Sequence, residues 1–152
     1  SAQVYYSLDG YIHVNIQQRE PVLRVLTGEG YYVDRDGRVM PLSSKFTSRV
    51  VVATGDINKK FACEKLGPFA MKLKNEPFWD AYIEQLVVRS NEDVVMIPKV
   101  GDFRIVLGKV DDCEARLEKL MLFLKDGITK KGWNRYKEIN LKFDNQVVCV
   151  RK

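Results

Sequence analysis

The sequence predicts an α+β domain, in which an antiparallel or mixed β-sheet carries one amphipathic helix. Three observations support this. Short segments such as "YIHVNIQQ" alternate apolar and polar residues with the period of two that a strand requires. The run "SRVVVATG" (48–55) is strongly β-branched, which indicates a strand buried on both faces. The apolar residues of the helix fall on one face, which should lie on the sheet: Leu117, Leu120, Met121 and Leu124.

The first 28 residues have the pattern of strands. "AQVYYSL" leads to a turn at Asp9-Gly10, and the next run places Ile12 and Val14 on one face and His13 on the other, toward solvent. Pro21 interrupts the pattern before "VLRVL". With 152 residues, 45% of them hydrophobic, the chain is long enough for one ordinary domain or slightly more.

The segment "YYVDRDGRVMPL" (31–42) fits both a calcium loop and a tight hairpin. An EF-hand loop with Gly37 at its sixth position would need carboxylates at Tyr32 and Ser43, and neither is acidic. The hairpin fits better, because Asp36-Gly37 can supply the two positive-φ residues of a type I′ turn. We therefore predict a structural hairpin and no metal here.

Residues 58–76 change to a helical period, with Asn58 as the N-terminal cap. Gly67-Pro68 should break this segment into two turns of helix. Pro77 then opens a short helix whose aromatic residues face the core. Three strands follow within residues 83–108, the last two joined by a turn around Gly101.

The amphipathic helix should begin at Asp111, with Glu114 completing a capping box, and end at Gly127. Two strands then close the chain. Ile139, Leu141 and Phe143 alternate in the first, Asp144-Asn145 is a turn dipeptide, and Val147–Val150 forms the last.

Charge is concentrated at the C-terminal end. The net charge is +5, and residues 125–152 hold eight Lys/Arg against three Asp/Glu. Such an end can contact phosphates, anionic lipid or an acidic partner, or it can simply be a solvated lysine-rich loop. The sequence has no arginine-rich run interleaved with aromatics, so nucleic-acid binding is not predicted.

The sequence contains no motif typical of a metal site or of an enzyme active site. The cysteines, Cys63, Cys113 and Cys149, form no CxxC, and the chain has one histidine, so no zinc site is predicted. They fit small buried apolar residues, or one disulfide in an oxidising compartment. G-x-S-x-G, P-loop and HExxH motifs do not occur, and we predict no enzyme activity and no cofactor. Turn or cap chemistry explains the acidic pairs Asp34/Asp36, Glu92/Asp93 and Asp111/Asp112.

The order of these features resembles the extracytoplasmic part of the FtsQ/DivIB bacterial cell-division family. The matching segments cover nearly the whole chain: "QQREPVLRV", "GYYVDRDGRVMPL", "RVVVATG", "IEQLVV", "FRIVLG", "EARLEKLMLFL" and "INLKFDNQVVCV". The family's R-x-P step falls on residues 19–21 and its D-x-x-G hairpin on residues 34–41. "VMPLS" and "FW…IEQL" are most similar to versions from the Bacteroides side of the family.

The resemblance implies a domain organisation and a role. Residues 1–28 would be the last strands of a POTRA domain, and residues 29–152 the family's β domain. A short cytoplasmic tail, one membrane helix and the front of the POTRA domain would precede them, with the β domain at the periplasmic face of the inner membrane. The family is a non-enzymatic scaffold of the division complex. Members of the family bind the FtsB–FtsL pair and, through this pair, the septal wall synthases.

The resemblance also implies a partner-binding site on the closing strands, where an FtsB segment adds as a further strand. The family's tyrosine falls on Phe143, which lacks the hydroxyl, and its small turn residues fall on Asn145 and Gln146, the latter where relatives often have glycine. The site would continue through the closing strand: Val147, Val148, Cys149, Val150 and Arg151.

Strand addition takes affinity from main-chain hydrogen bonds and specificity from alternate side chains. Val148 and Val150 should face one side of the sheet, and Val147 and Cys149 the other. Nearby basic residues should attract an acidic partner segment: Lys130, Lys131, Arg135, Lys137, Lys142, Arg151 and Lys152. Replacing Val148 with proline should then abolish binding and leave the fold mostly intact. The alternative is that the closing strand is interior and fully paired.

Two other functions stay open at this point. A POTRA-type chaperone module of an outer-membrane assembly or secretion protein would show repeated β-α-α-β-β units, of which this chain has at most a fragment. A carbohydrate-active or wall-modifying enzyme would need two convergent carboxylates, or a nucleophile with a base, in one cleft.

Overall fold

The structure, a computed structural model, describes residues 2–16, 18–43, 48–128 and 135–152. Its fold is α+β, as the sequence predicts. The strands form a two-stranded hairpin near the start and one nine-stranded sheet. Within the described ranges, no helix is both long enough and apolar enough to cross a membrane.

The hairpin consists of β1 (Ala2–Tyr6) and β2 (Ile12–Ile16), which pair antiparallel. Ile12 and Val14 are 60% and 54% exposed, so this apolar face does not enter the core. On the other face, His13 stacks flat on Tyr5 with ring centroids 5.1 Å apart. The hairpin therefore forms a sheet of its own.

The nine-stranded sheet is mixed. Its strands are β3 (Pro21–Val25), β4 (Tyr31–Asp34), β5 (Val39–Pro41), β6 (Val51–Gly55), β7 (Ile83–Arg89), β8 (Asp93–Pro98), β9 (Arg104–Gly108), β10 (Tyr136–Asn140) and β11 (Val148–Arg151). Their spatial order is β11-β10-β9-β8-β7-β6-β3-β4-β5. The pairs β3–β6, β6–β7 and β9–β10 are parallel, and the other neighbours are antiparallel.

Strand β3 lies inside this sheet, between β6 and β4. A boundary between residues 28 and 29 would separate β3 from β4, its antiparallel neighbour. By strand pairing, the hairpin and the large sheet divide before Pro21 rather than after Gly28. Pro21 interrupts the sequence pattern but not the strand, because a proline is tolerated as the first residue of a strand.

Helices lie against one face of the sheet. They are α1 (Lys59–Phe61), a π-helical turn (Ala62–Leu66), α2 (Gly67–Asn75), α3 (Pro77–Tyr82), α4 (Glu114–Phe123) and a second π-helical turn (Leu124–Ile128). One core joins them to the strands, with Leu23, Ala53, Leu86, Met96, Ile105 and Ile139 fully buried on the sheet side. The prediction that β6 is buried on both faces is wrong, since its Val51 and Val52 are only half-buried.

The predicted break at Gly67-Pro68 is wrong. Asn58 does cap the first helix, since its Oδ1 accepts the N–H of Phe61 at 2.8 Å. The helix then runs on to residue 75 through a widened turn, in which the Gly67 N–H donates to the carbonyl of Ala62. Pro68 has no N–H to give to the preceding turn, and the π-helical turn accommodates it without ending the helix.

Both predicted ends of the amphipathic helix are also wrong. Helix α4 begins at Glu114, and the Asp111 carboxylate binds Lys65 Nζ at 2.6 Å instead of capping. At the other end the π-helical turn continues past Gly127 to Ile128. The predicted apolar stripe is confirmed by the buried residues Leu117, Leu120 and Leu124 and the half-buried Met121.

The hairpin of residues 31–42 is confirmed, but its turn type is not. Gly37 has φ +77°, whereas Asp36 is not in the positive-φ region, so a type I′ turn is excluded. The Gly37 N–H donates to the Asp34 carbonyl at 3.0 Å, and the Asp34 N–H donates to the Arg38 carbonyl at 2.9 Å. This is a three-residue loop that ends in a left-handed glycine.

Candidate functional site: the open edge of the sheet

Strand β11 forms one edge of the nine-stranded sheet. Among the described residues it pairs only with β10, antiparallel, and β10 in turn lies parallel to β9. An interior closing strand, the alternative left open by the sequence, would have a neighbour on each side. The part of the chain that the structure describes supplies none beyond β11.

The main-chain direction of β11 follows from one hydrogen bond. The Lys152 N–H donates to the carbonyl of Arg135, just before β10, at 3.2 Å. Alternate residues of a strand direct their N–H and C=O to opposite sides. The residues two and four positions earlier, Val150 and Val148, therefore turn these groups toward β10. Within β11, the groups that face the open edge are those of Cys149 and Arg151.

Strand β10 gives the same result independently. The Leu141 N–H donates to the Val106 carbonyl at 2.9 Å, so Leu141 and Ile139 face β9. Asn140 then faces β11, where its register partner is Val148. The N–H of Val148 therefore lies inside the sheet. Proline at Val148 would remove a hydrogen bond within the sheet and so damage the fold. The expectation that this substitution leaves the fold mostly intact is therefore wrong.

The side chains of the closing strand divide between the two faces as expected. Val147 and Cys149 pack against the core on the helix side, where burial raises the pKa of the Cys149 thiol. Val148 and Val150 lie on the opposite face and are half-buried, and Arg151 is exposed. A strand added at this edge would therefore meet apolar side chains on both faces.

The turn before β11 differs from the sequence prediction. Phe143 was expected to continue the strand, but β10 ends at Asn140 and Phe143 lies in the turn, 48% exposed. Asn145 has φ +56°, a conformation that asparagine tolerates better than most residues, and Gln146 is exposed. The turn thus brings Phe143, Asn145 and Gln146 close in sequence to the open edge without placing them on it.

Two basic residues of α4 hold the main chain near this turn. Lys119 Nζ donates to the carbonyls of Phe143, at 2.7 Å, and Leu141, at 3.3 Å. One turn earlier, Arg116 donates to the carbonyls of Leu107 and Asp111, at 2.5 and 2.7 Å. The Lys119 contacts have no sequence signal, because they join residues brought together only by packing of α4 on the sheet.

The basic residues near the edge are partly compensated. Lys142 and Lys152 pair with Asp93 and Asp102, at 3.5 and 3.0 Å. Arg135, Lys137 and Arg151 are exposed and have no carboxylate partner among the described residues. The predicted basic residues Lys130 and Lys131 lie outside the described residues. The uncompensated positive charge near the edge therefore rests on Arg135, Lys137 and Arg151.

Strand β5 forms the opposite edge of the sheet. The Arg38 carbonyl faces β4, where it accepts the Asp34 N–H, so Val39 and Pro41 face outward. The outward carbonyl of Val39 accepts Arg19 Nη2 at 3.2 Å. Proline has no N–H to offer at the second outward position. The β5 edge therefore offers fewer free main-chain donors and acceptors to a further strand.

Arg19 is held at that edge by Asp34, which is 2% exposed. Arg19 Nε donates to Asp34 Oδ2 at 2.6 Å, and Asp34 Oδ1 accepts the N–H groups of Asp36 and Arg38, at 3.0 and 2.8 Å. Burial by itself raises the pKa of Asp34, but the Arg38 N–H and the Arg19 guanidinium outweigh it, and the pKa is lowered. The carboxylate thus has a structural role, as the acceptor that holds both Arg19 and the hairpin turn.

The described residues hold no group of three or more His, Cys, Asp or Glu that could bind a metal, and the three cysteines are free thiols. A cleft of about 360 Å³ lies beside Trp79 and is lined in part by the carboxylates of Asp80 and Glu84. Both are exposed, and no Ser, Thr, Cys or His is among the described residues that line it. The described lining therefore offers no Ser, Thr or Cys nucleophile with a histidine base, and its two carboxylates are both exposed to solvent.

Comparison with known families gives one match. The family model "FtsQ/DivIB, C-terminal related" matches residues 20–150, from just before β3 to the penultimate residue of β11. No curated protein sequence matches the chain. The matched range covers the whole nine-stranded sheet except its last residue and excludes the hairpin of β1 and β2.

Proposed function

This chain belongs to the FtsQ/DivIB C-terminal related family of bacterial cell-division proteins, and on that premise we propose that it is a non-enzymatic scaffold of the division complex. Family members are membrane-anchored and interact with other division proteins. The proposed partner is an FtsB–FtsL-like pair at the periplasmic face of the inner membrane. Through this pair the scaffold would be linked to septal wall synthesis.

The open edge of β11 is the observation on which this proposal rests. It offers the N–H and C=O groups of Cys149 and Arg151 to an incoming strand, with apolar side chains on both faces. The charge of Arg151 and Lys137 favours a partner segment that carries carboxylates beside the apolar residues. Main-chain pairing supplies affinity, and charge raises the rate of encounter.

The domain organisation is part of the proposal. The hairpin of β1 and β2 would be the end of a POTRA domain, with the β domain beginning at Pro21 instead of residue 29. The rival function, a POTRA-type chaperone module, would require repeated β-α-α-β-β units. One sheet of nine strands fits the family's β domain better than such a repeat.

Replacing Arg151 with proline tests this function. Arg151 directs its N–H to the open edge and its side chain to solvent, so proline removes a donor for the added strand and leaves the pairing of β10 with β11 in place. We expect binding of the purified extracytoplasmic FtsB–FtsL pair, measured by calorimetry, to weaken about 10- to 100-fold.

The matched control is Arg151→Ala, which removes the charge and keeps the N–H. It should weaken binding by less than about fivefold, because an exposed charge contributes little to affinity. Thermal unfolding of both variants should stay close to that of the parent protein. Wild-type affinity in a folded Arg151→Pro variant would exclude this edge as the binding surface.

A further inference from the structure

The connection between β10 and β11 makes few main-chain contacts of its own. After the Leu141 N–H bonds to β9, residues 142–147 contain a turn at Asp144-Asn145, and no backbone–backbone hydrogen bond joins them to another described strand or helix. The side chain of Asn140 accepts the Lys142 N–H at 2.9 Å, which fixes the first step of the turn. Between Lys142 and Val148, contacts other than strand pairing must hold the chain in place.

Lys119 provides that attachment. Its ammonium group donates to two carbonyls of this connection, those of Leu141 and Phe143, and its side chain is half-buried. An ammonium is a three-donor group, so it can bind both carbonyls at once. The residue lies on α4, and α4 is itself fixed to the end of β9 by Arg116. The turn is thereby tied to a rigid element.

We propose that Lys119 is a positioning residue for the open edge, holding the turn so that β11 stays extended and in register before a partner strand arrives. An edge strand has neighbours on one side only, and a loose turn would let its end fray. Ordering such a strand at the moment of binding weakens the complex, whereas an ordered strand avoids that loss. The inference rests on the proposed function for its effect on affinity, but not for its effect on the order of β11.

Lys119→Met tests the inference, because methionine keeps most of the aliphatic stem and removes the donors. Amide hydrogen exchange of the unbound protein, followed by mass spectrometry, should accelerate about tenfold or more in residues 142–151. Exchange in residues 83–98, which lie in the centre of the sheet, should not change. Affinity for the purified FtsB–FtsL pair should fall about three- to tenfold.

Two variants distinguish positioning from a general loss of structure. Lys119→Arg restores donors to the same carbonyls and should recover most of the slow exchange. Lys60→Met removes an exposed lysine from α1 and should leave exchange in residues 142–151 unchanged. Unchanged exchange of residues 142–151 in Lys119→Met, or failure of the arginine variant to restore it, would overturn the inference.

The outcomes also separate this inference from the proposed function. If exchange accelerates in Lys119→Met but Arg151→Pro binds normally, Lys119 orders β11 and the partner site lies elsewhere. If Arg151→Pro loses binding and exchange is unaffected by Lys119→Met, the edge binds the partner without help from Lys119.

Discussion

The two edges of the nine-stranded sheet, β5 and β11, are both short strands, but they differ in what their outward main-chain groups bind. At the β5 edge the outward carbonyl of Val39 is bound by Arg19, and the second outward residue is Pro41, which has no N–H. At the β11 edge the outward groups of Cys149 and Arg151 meet no described neighbour. Proline and charged side chains are the common means of protecting an edge from association. At the β5 edge a proline and an arginine bound to an outward carbonyl reduce what a further strand could pair with, whereas the described residues place neither at β11.

The protection of β5 depends on a buried carboxylate, and the presentation of β11 on a lysine of α4. Asp34 holds Arg19 in place against the Val39 carbonyl. Lys119 holds the turn that leads into β11. At each edge, a side chain from another part of the chain therefore holds the main chain of the edge strand, or of the turn leading into it, in place. The following experiments test this contrast, beginning with the largest expected effect.

Proline at Val148 should have the largest effect on stability. Val148 directs its N–H toward Asn140 in β10, so proline removes a bond of the sheet and leaves a carbonyl without its donor. We expect the free energy of unfolding, from urea titration, to fall by about 3 kcal/mol. Arg151→Pro, the same change at an outward position, should cost less than about 1 kcal/mol. Equal losses in the two variants would mean that the assigned direction of the strand is wrong.

Replacing Asp34 with alanine should have the next largest effect. It removes the acceptor for two backbone N–H groups and for Arg19, and we expect a loss of about 2 kcal/mol in the free energy of unfolding. Asp36→Ala, at an exposed carboxylate two residues further on, should stay within about 0.5 kcal/mol of the parent protein. A similar loss in both variants would assign the effect to the turn sequence and not to the buried acceptor.

The stability should also depend on pH through Asp34. Its pKa is lowered in the folded protein, so it contributes stability above its unfolded value, near 3.9, and loses it as pH falls through the folded pKa. As the pH falls below about 4, the free energy of unfolding of the parent protein, from urea titration, should therefore decrease more than that of Asp34→Asn. Parallel curves for the two proteins would show that Asp34 is not responsible.

The smallest expected effect is at the β5 edge itself. Pro41→Val returns an outward N–H and should change the free energy of unfolding by less than about 0.5 kcal/mol. Because the edge then offers one more donor, we expect weak self-association in sedimentation velocity at high protein concentration. Pro41→Ala, which also restores the N–H, should behave in the same way. A strictly monomeric Pro41→Val protein would mean that Arg19 alone is sufficient to close this edge.

Local patterns predicted most of the elements. Period-two alternation located the strand β10, and the apolar stripe through Leu117 and Leu120 located α4. These succeed because burial on one face imposes its period on the sequence directly. Element ends were less successful, since Asp111 fits a cap by type but is engaged by Lys65, from a distant part of the chain.

Turn chemistry was predicted in outline only. Asp36-Gly37 identified the hairpin, but its turn type was set by Asp34, whose carboxylate binds the N–H groups of Asp36 and Arg38. Gly67-Pro68 marked a real irregularity, and the helix absorbed it as a widened turn. In both places, neighbouring groups selected one conformation among those that the local sequence allows.

The sequence by itself determined which segments are strands and helices, the apolar closing strand, and the family, because these depend on patterns local in the chain or on their order. Only the tertiary structure decided that β10 lies parallel to β9, that β11 is an edge, and that Arg151 rather than Val148 turns its N–H outward. These features arise from pairing between segments far apart in the chain. If the pairing shifted by one residue, every side chain of the strand would turn to the opposite face of the sheet, and every main-chain N–H and C=O to the opposite side of the strand.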